Sequence, residues 1–359
     1  MIGVNFITTK SEMSGVSRYE KEIRQRLLND VQFNVIEYTP SLLNLGMFSA
    51  VPKTFQRFGR LPWQVLTKLR KDSITHITTE DLSYVLHLPN LKNTVVSCHD
   101  LIHWVYYNER NSFFWRLNIA GLKKTERIIT VSDYSKDEIV QYLGYPSDKI
   151  AVIPNAVDHA RYFQKRDKEI LKRYDISENE KIILYVGSEQ PRMNVDVLFA
   201  SFAKLKEQLP GIKLLKVGNP QWPDAREKLE KLVQELHLEH DVFFLQHVPE
   251  DELSKWYNAA DVLVYPCSYA GFGVPPLEAM ACGTPVITSN VTSLPEVVGD
   301  AGIMVDPTNA HELASAMEKV LTNEQLREQM IQKGLERAKT FQWEKSAEAT
   351  LKVYQEMAS

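Results

Sequence analysis

Residues 265 to 306 constrain the fold more than any other stretch of the sequence. The apolar run 261–265 just before it predicts a buried strand, and Gly271 and Gly273 predict a tight turn after that strand. A proline pair follows, and a helix can begin at about Pro276 without losing a needed N–H group. The order predicts a strand, a turn and a helix start.

The helix of this unit carries the first candidate for chemistry. Gly283 suits a helix stop, and the apolar run 284–289 predicts a second buried strand, so the stretch forms a βαβ unit. N–H groups at the helix start favour an anion such as a phosphate. Glu278, expected in the first turn, has two interpretations. It accepts hydrogen bonds from a vicinal diol such as a ribose, or it complements the helix dipole.

The whole chain repeats this alternation of strands and helices. At 359 residues it fits two domains of about 150 to 200 residues each. Alternating elements predict the α/β class, with two doubly wound parallel sheets. The expected domains are 1–160 and 161–340, and 341–359 should form a helix that packs back toward the first domain. The predicted strands are 3–8, 31–38, 94–98, 127–131 and 149–154, then 182–186, 212–217, 241–245, 261–265 and 284–288.

Composition limits the classes of protein to consider. The three cysteines, Cys98, Cys267 and Cys282, are widely spaced, which predicts reduced structural thiols without a zinc site. No apolar run approaches a membrane span, and the chain starts as a strand without a charged leader, so we expect a cytoplasmic protein. The net charge of -4 and the lack of a recognisable nucleic-acid module argue against nucleic-acid binding.

Three further strand ends carry candidate site residues. Gly15 lies in a loop between a strand and a helix and suits close approach to a sugar or phosphate. His99 follows the strand 94–98, where ligands bind in open parallel sheets, although a histidine beside Asp100 also suits a structural pair. Arg192, in the loop that begins at Gly187, suits bidentate contact with a phosphate or is a surface arginine.

Residues 51–71 form the most one-signed segment of the sequence, because they include no acidic residue. Cations interleaved with aromatic rings are typical of a segment that contacts anionic membrane, and a solvated loop and helix is the alternative. The residues concerned are Lys53, Phe55, Arg57, Phe58, Arg60, Trp63, Lys68, Arg70 and Lys71.

Taken together, these motifs closely resemble the retaining glycosyltransferases of family 4, which have the GT-B architecture of two facing Rossmann-like domains. The resemblance covers nearly the whole chain and includes the Gly15 loop and residues 98–101, 131–136, 150–158, 187–194 and 265–306. It implies that a nucleotide sugar binds mainly the C-terminal domain and that a glycan or lipid-linked acceptor binds mainly the N-terminal one. No cofactor and no metal are expected, and no Asp-x-Asp triplet occurs.

The resemblance also implies roles for particular residues. Glu278 would hold the ribose hydroxyls, and His99 would contact the donor sugar near the reacting centre. Arg192 would stabilise the leaving diphosphate. Donor contacts are further implied at Gly15, Gly187, Phe272, Gly273, Val274 and Leu277. The 187–194 loop resembles most the mannosyltransferases that build surface polysaccharides, so GDP-mannose is the first expected donor and a UDP-sugar the second.

Two positions depart from the family pattern. Ala270 occupies the place of the first of two glutamates eight positions apart, and Met193 occupies the place of a lysine that contacts the diphosphate. Losing one such electrostatic contact typically lowers the rate about a hundredfold or more. An engineered change at Ala270, a natural variant with compensating groups, and a protein that binds with little turnover all remain open. A dehydrogenase is disfavoured, because Pro276 stands where the dinucleotide fingerprint has its third glycine.

Overall fold

The computed structural model describes residues 1–9, 15–38, 56–89, 91–245 and 248–359, with side chains except at 56 and 57. The chain divides into two compact units. Unit 1 comprises residues 1–155 and 343–359, and unit 2 comprises residues 156–342. Each unit is built on one six-stranded parallel sheet, as the alternating pattern of strands and helices predicts.

The sheet of unit 1 has the strand order β2-β1-β3-β4-β5-β6. Its strands are β1 (Ile2–Thr9), β2 (Val31–Tyr38), β3 (Ile74–Ile77), β4 (Thr94–Cys98), β5 (Arg127–Thr130) and β6 (Ile150–Val152). The chain leaves β1 toward β2 and then returns to the other side of β1 with β3. The loops that follow β1 and β3 therefore flank the point where the strand order reverses, which is where ligands bind in such sheets.

The sheet of unit 2 has the strand order β12-β11-β10-β7-β8-β9. Its strands are β7 (Lys181–Val186), β8 (Ile212–Val217), β9 (Val242–Leu245), β10 (Val262–Tyr265), β11 (Val286–Ser289) and β12 (Ile303–Val305). Here the order reverses between β7 and β10. The loops after these two strands are 187–194 and 266–273, the two stretches in which the sequence places its donor-binding candidates.

Thirteen α-helices are described within the residues listed above. They are α1 (Gly15–Arg26), α2 (Leu61–Lys68), α3 (Ile102–Val105), α4 (Phe113–Leu122), α5 (Asp133–Leu143), α6 (Val195–Gln208), α7 (Ala225–Glu235), α8 (Glu250–Ala259), α9 (Val274–Ala281), α10 (Leu294–Val298), α11 (Ala310–Thr322), α12 (Glu324–Ala338) and α13 (Trp343–Ala358). Their ends follow local rules. Helix α5, for example, starts after Ser132, whose hydroxyl accepts a hydrogen bond from the Ser135 N–H, and stops at Gly144 in the left-handed region.

Helix α13 belongs to unit 1 and packs against α1. The Trp343 ring lies 6.2 Å from the Tyr19 ring, centre to centre, and Arg26 Nε donates to Glu344 at 2.9 Å. Deeper in the unit, the Tyr354 hydroxyl is 2.6 Å from His76 Nδ1, and His76 Nε2 is 2.9 Å from the Ser97 hydroxyl. These contacts satisfy a buried histidine in the middle of β3, whose pKa burial lowers to about 3.

The cysteines are as expected. Cys98, Cys267 and Cys282 are all free and buried.

Candidate functional site

Two loops meet at the point where the sheet of unit 2 reverses. The Ser268 N–H donates to the Arg192 carbonyl oxygen at 2.7 Å. The Asn194 amide donates to the Pro266 carbonyl oxygen at 2.8 Å and to the Ser268 hydroxyl at 2.6 Å. Asn194 itself adopts φ 49°, which an asparagine tolerates better than most residues. The loop after β7 is thus fastened to the loop after β10.

Arg192 is held by this junction. Its Nη1 donates to the Tyr269 carbonyl oxygen at 2.8 Å and lies 3.3 Å from Cys267 Sγ, and its Nε donates to Gln190 at 3.0 Å. The guanidinium is half-buried and therefore has a defined place at the carboxyl edge of the sheet. This fits a phosphate ligand better than a mobile surface arginine, although its role at a phosphate stays a prediction.

Met193, next to Arg192, points into the protein interior. It is buried, and its Sδ accepts a hydrogen bond from the Cys267 thiol at 3.5 Å. A Cβ added at Gly187 would come within 3.0 Å of the Met193 methyl and 2.6 Å of the Tyr185 hydroxyl, so only glycine fits there. An apolar thioether therefore fills the position at which family members carry the lysine cation.

Two other cations lie at the same edge, and sequence reasoning missed both. Glu189 Oε1 accepts from Lys216 Nζ at 2.5 Å and from Arg226 Nε at 3.0 Å, and Lys216 Nζ also donates to the Gly218 carbonyl oxygen at 2.6 Å. The Lys216 and Glu189 side chains are fully buried. Burial lowers the pKa of Lys216 to about 8, against the opposing effect of Glu189. The one available signal was a lysine inside the apolar run of β8.

The turn after β10 differs from the prediction in one respect that matters. Helix α9 starts at Val274 rather than near Pro276, because Gly273 adopts φ 111° and turns the chain into the helix earlier. A side chain at Gly273 would be strained by this φ, and its Cβ would also lie 2.7 Å from a Leu294 methyl. Pro275 and Pro276 then fall inside the first turn, and two of its four positions have no N–H group to offer an anion.

Glu278 consequently lies in the second turn of α9, and the first turn has no acidic residue. Its interpretation as a dipole partner is wrong, because that effect fades beyond the first turn. Glu278 is only 2% exposed, and its Oε2 accepts from the Tyr257 hydroxyl at 2.8 Å. Burial, and then the nearby Glu278, raise the pKa of Tyr257 well above its usual value. Contact of Glu278 with a ribose stays a prediction.

Ala270 is buried at the start of the turn. Its N–H donates to the Thr292 hydroxyl at 3.3 Å, and its carbonyl oxygen accepts from the Ser293 hydroxyl at 2.8 Å. Phe272, two residues on, is also buried, and its ring meets Phe341 edge to face at 5.7 Å. Leu277, a predicted donor contact, is fully buried on α9. Nothing in the structure explains why position 270 carries alanine.

In unit 1, His99 lies at the carboxyl end of β4. Its Nε2 is 3.1 Å from the Thr78 carbonyl oxygen, which can only accept, so Nε2 carries the proton and Nδ1 carries a lone pair. Burial lowers the pKa of His99, which keeps the ring neutral. The neighbouring Asp100 carboxylate accepts from the Ile102 N–H at 3.0 Å. The His99 ring is therefore anchored by a backbone carbonyl and not by that carboxylate.

Unit 1 also holds a buried acid close to His99, Glu20, which sequence reasoning missed. The carboxylate of Glu20 on α1 accepts hydrogen bonds from the hydroxyls of Thr8, at the end of β1, and Thr78, just after β3. Burial raises the pKa of Glu20 to about 7. At Gly15, where α1 begins, an added Cβ would meet no atom of the described residues within 4 Å. Unit 1 thus places a titratable carboxylate at the reversal point of its own sheet.

The basic segment 51–71 is described only from residue 56 onward. Lys53 and Phe55 lie outside the described residues, and nothing is described of the Arg57 side chain. On α2, Trp63 is 64% and Leu66 is 53% exposed. No helix among the described residues is long and apolar enough to cross a membrane. Within the same residues, no group of three or more His, Cys, Asp or Glu side chains is arranged to hold a metal ion.

Comparison with known proteins follows the same division of the chain. The family described as "Glycosyltransferase Family 4" matches residues 15–161, and the family described as "Glycosyl transferases group 1" matches residues 166–337. O-antigen chain mannosyltransferase B of Escherichia coli is 33% identical over 285 residues, which cover 76% of this chain and 74% of that relative. The serotype-specific mannosyltransferase WbdA of Escherichia coli is 29% identical over 282 residues, 74% of this chain but only 34% of WbdA.

Among solved structures, sucrose-phosphate synthase from Thermosynechococcus elongatus superposes with a TM-score of 0.83 at 22% identity, covering 99% of both chains. HepE of Anabaena, solved with UDP and glucose, superposes with a TM-score of 0.79 at 16% identity over 100% of this chain and 98% of HepE. At these identities the likeness concerns the fold.

Proposed function

The chain belongs to glycosyltransferase family 4 and has the GT-B fold, and on this premise we propose that it moves a mannosyl unit from GDP-mannose to a glycan or lipid-linked hydroxyl. Other hexosyl units, carried by a UDP-sugar, are the second choice. The relatives named as O-antigen mannosyltransferases support the first choice, and the UDP-bound HepE structure supports the second. The transfer retains the configuration of the sugar. The observation that carries the proposal is the arginine held at the reversal point of the second sheet.

The donor diphosphate binds at that point. Arg192 meets the phosphate oxygens, and the backbone of Phe272, Gly273 and Val274 meets the diphosphate and sugar. Charge that develops on the leaving phosphate is thus stabilised by a cation and by amide dipoles, without a metal ion. Glu278 accepts from the ribose hydroxyls, since two carboxylate oxygens match two neighbouring hydroxyls.

His99 contacts the donor sugar. Because its Nε2 proton is directed at Thr78, the ring offers a lone pair at Nδ1, which accepts a hydrogen bond from a sugar hydroxyl. The depressed pKa means that the ring stays neutral at pH 7 and brings no positive charge to the reacting centre. His99 therefore positions the sugar and does not balance the charge of the leaving group.

A turnover assay tests the proposal. Purified protein is incubated with GDP-mannose, UDP-glucose or UDP-N-acetylglucosamine and a panel of glycan and lipid-linked acceptors, and released nucleotide is measured. We expect release with one donor and a loss of about a hundredfold in Arg192→Ala. Arg166→Ala is the matched control, because Arg166 is exposed and pairs with Asp261. Absence of release with every donor, in the wild type and in Ala270→Glu, contradicts transfer.

A second candidate function is nucleotide-sugar binding with little turnover, in a regulatory role. Two observations favour it: Met193 is buried where the lysine cation is expected, and Ala270 offers no carboxylate to the transferred sugar. Calorimetric titration with GDP, UDP and their sugars separates the two functions when it accompanies the assay above. Tight binding of a nucleotide sugar without release favours this second function.

We also propose that α2 holds the protein at the anionic inner face of a membrane. Trp63 and Leu66 are three residues apart on one exposed helix face, and four exposed cations surround them: Arg60, Lys68, Arg70 and Lys71. The Trp63 ring and the leucine enter the headgroup region while the cations meet anionic lipid. Phe58, expected to take part, packs inward instead, with its ring 5.0 Å from that of Tyr84.

Vesicle co-sedimentation tests the membrane proposal. We expect binding to vesicles that contain phosphatidylglycerol, weakened by added salt and by the double change Trp63→Ala and Leu66→Ala. Phe163→Ala is the control, because Phe163 is similarly exposed but lies in unit 2. Equal binding to neutral and anionic vesicles, or an unaffected double variant, contradicts a role for α2.

A further inference from the structure

The turn Ala270–Gly273, called here the glycine turn, is held by two residues of the loop after β11. First-turn donors on α9 are scarce, because Pro275 and Pro276 have no N–H group. The Ala270 N–H already donates to the Thr292 hydroxyl, so an anion at this edge depends on the other amides of the turn and on that of Val274. Their direction decides whether they reach it.

Ser293, in the loop after β11, sets that direction. Its buried hydroxyl lies 2.8 Å from the Ala270 carbonyl oxygen and 2.9 Å from the Phe272 carbonyl oxygen, so both carbonyls point toward one side chain. In a trans peptide the N–H group points opposite to the carbonyl of the same peptide. The amides of Gly271 and Gly273 belong to these two peptides and therefore point away from Ser293.

Thr292 holds the same turn from the adjacent position. Its hydroxyl accepts from the Ala270 N–H at 3.3 Å and donates to the Val291 carbonyl oxygen at 2.7 Å. Its backbone adopts φ 58°, a genuine outlier for a β-branched residue. Strain of this kind persists only where the surrounding structure enforces it, and it concentrates at functional sites.

We propose that Thr292 and Ser293 are positioning residues for the donor diphosphate. They fix the glycine turn from the side opposite the ligand, so that the amides of the Gly271 and Gly273 peptides face the diphosphate before the diphosphate binds. The loop after β11 thereby contributes to a site whose contacts come from the loops after β7 and β10. This inference rests on the proposed function, because the diphosphate is what the amides meet.

Two pairs of variants test it by calorimetric titration with GDP and UDP. Thr292→Ala and Thr292→Ser both remove the β-branch and differ in the hydroxyl. Ser293→Ala and Ser201→Ala each remove one buried serine hydroxyl of unit 2, and the Ser201 hydroxyl donates to the Val197 carbonyl inside α6. We expect Thr292→Ala and Ser293→Ala to bind the nucleotide about tenfold more weakly, and Thr292→Ser and Ser201→Ala to match the wild type.

Melting temperatures separate positioning from general stability. A positioning role predicts that Ser293→Ala and Ser201→Ala lose similar stability while only the first loses affinity. If Ser293→Ala does not fold, the half-buried Thr292 pair decides alone. Equal affinity of Thr292→Ala and Thr292→Ser overturns the inference while the proposed function stands. A wild type that binds neither GDP nor UDP overturns both.

Discussion

Glu20→Gln is expected to change how the stability of unit 1 depends on pH. Burial raises the pKa of the Glu20 carboxyl from 4.5 to about 7, since its charge is removed from water and only two threonine hydroxyls replace the lost hydration. The folded protein therefore keeps a proton that the unfolded chain releases between these two pH values. The free energy of unfolding falls as the pH rises from 4.5 to about 7, and it stays at its reduced value above about pH 7.

The magnitude follows from the two pKa values. At about 1.4 kcal/mol per pH unit, a rise from 4.5 to about 7 corresponds to about 3 kcal/mol. Glutamine has nearly the shape of the protonated acid and cannot ionise. We expect Glu20→Gln to lie within about 1 kcal/mol of the wild type at pH 5 and to be more stable by up to about 3 kcal/mol at pH 8.5.

Urea unfolding at pH 5, 7 and 8.5, followed by hydrogen exchange of peptides from β1 and β3, measures the effect in unit 1 itself. Glu348→Gln is the control, because Glu348 is an exposed carboxylate of the same unit on α13. The pH dependence of Glu20→Gln is compared with that of this control. If the wild type and Glu20→Gln show parallel pH dependence, or if the variant is the less stable at pH 8.5, Glu20 does not titrate as its burial implies.

Three further outcomes are expected. Gly218→Ala should prevent stable folding, because the residue adopts φ 119° and an added Cβ would lie 2.4 Å from a backbone oxygen. Gly144→Ala, where the added Cβ meets open space, should lower the free energy of unfolding in urea by only about 1 kcal/mol. Lys216→Met should lower the free energy of unfolding by about 3 kcal/mol in the same measurement. This is near the lower limit for a broken buried ion pair, because Arg226 still pairs with the Glu189 carboxylate. A gain in stability would contradict this expectation. Tyr257→Phe should weaken nucleotide binding about fivefold, because it removes a hydroxyl that holds the Glu278 carboxylate in place. A nucleotide that lacks both ribose hydroxyls should bind both proteins equally.

Both sheets were predictable from sequence, except for one strand in each, β3 and β12. β3 is Ile-Thr-His-Ile and is buried throughout. Its two polar residues interrupt the apolar pattern by which a buried strand is recognised. His76 tolerates that burial only because Tyr354 and Ser97, both distant in sequence, hydrogen-bond to it. β12 has three residues and its apolar run ends with them, whereas β6, equally short, lies in the longer apolar run 150–153 and was predicted.

The candidate site likewise has features that were predictable from the sequence and features that were not. The position of Arg192 and Gly273 in loops at strand ends was predictable, because glycine-bearing loops at strand ends have a local signature. The start of α9 was misplaced because the two prolines dominate the local pattern, while the deciding residue is the glycine before them. Glu20 and Lys216 were missed because charged residues usually lie at the surface. Only their partners, which come from other elements, make their burial tolerable.

The return of α13 to unit 1 has a consequence for synthesis on the ribosome. Residues 343–359 follow unit 2 in the chain, so unit 1 is complete only after all of unit 2 has been made. Until then Tyr19 lacks the Trp343 ring and His76 lacks the Tyr354 hydroxyl. Unit 1 therefore cannot complete its packing while unit 2 is still being made, and until α13 docks it lacks the side chains that cover Tyr19 and His76.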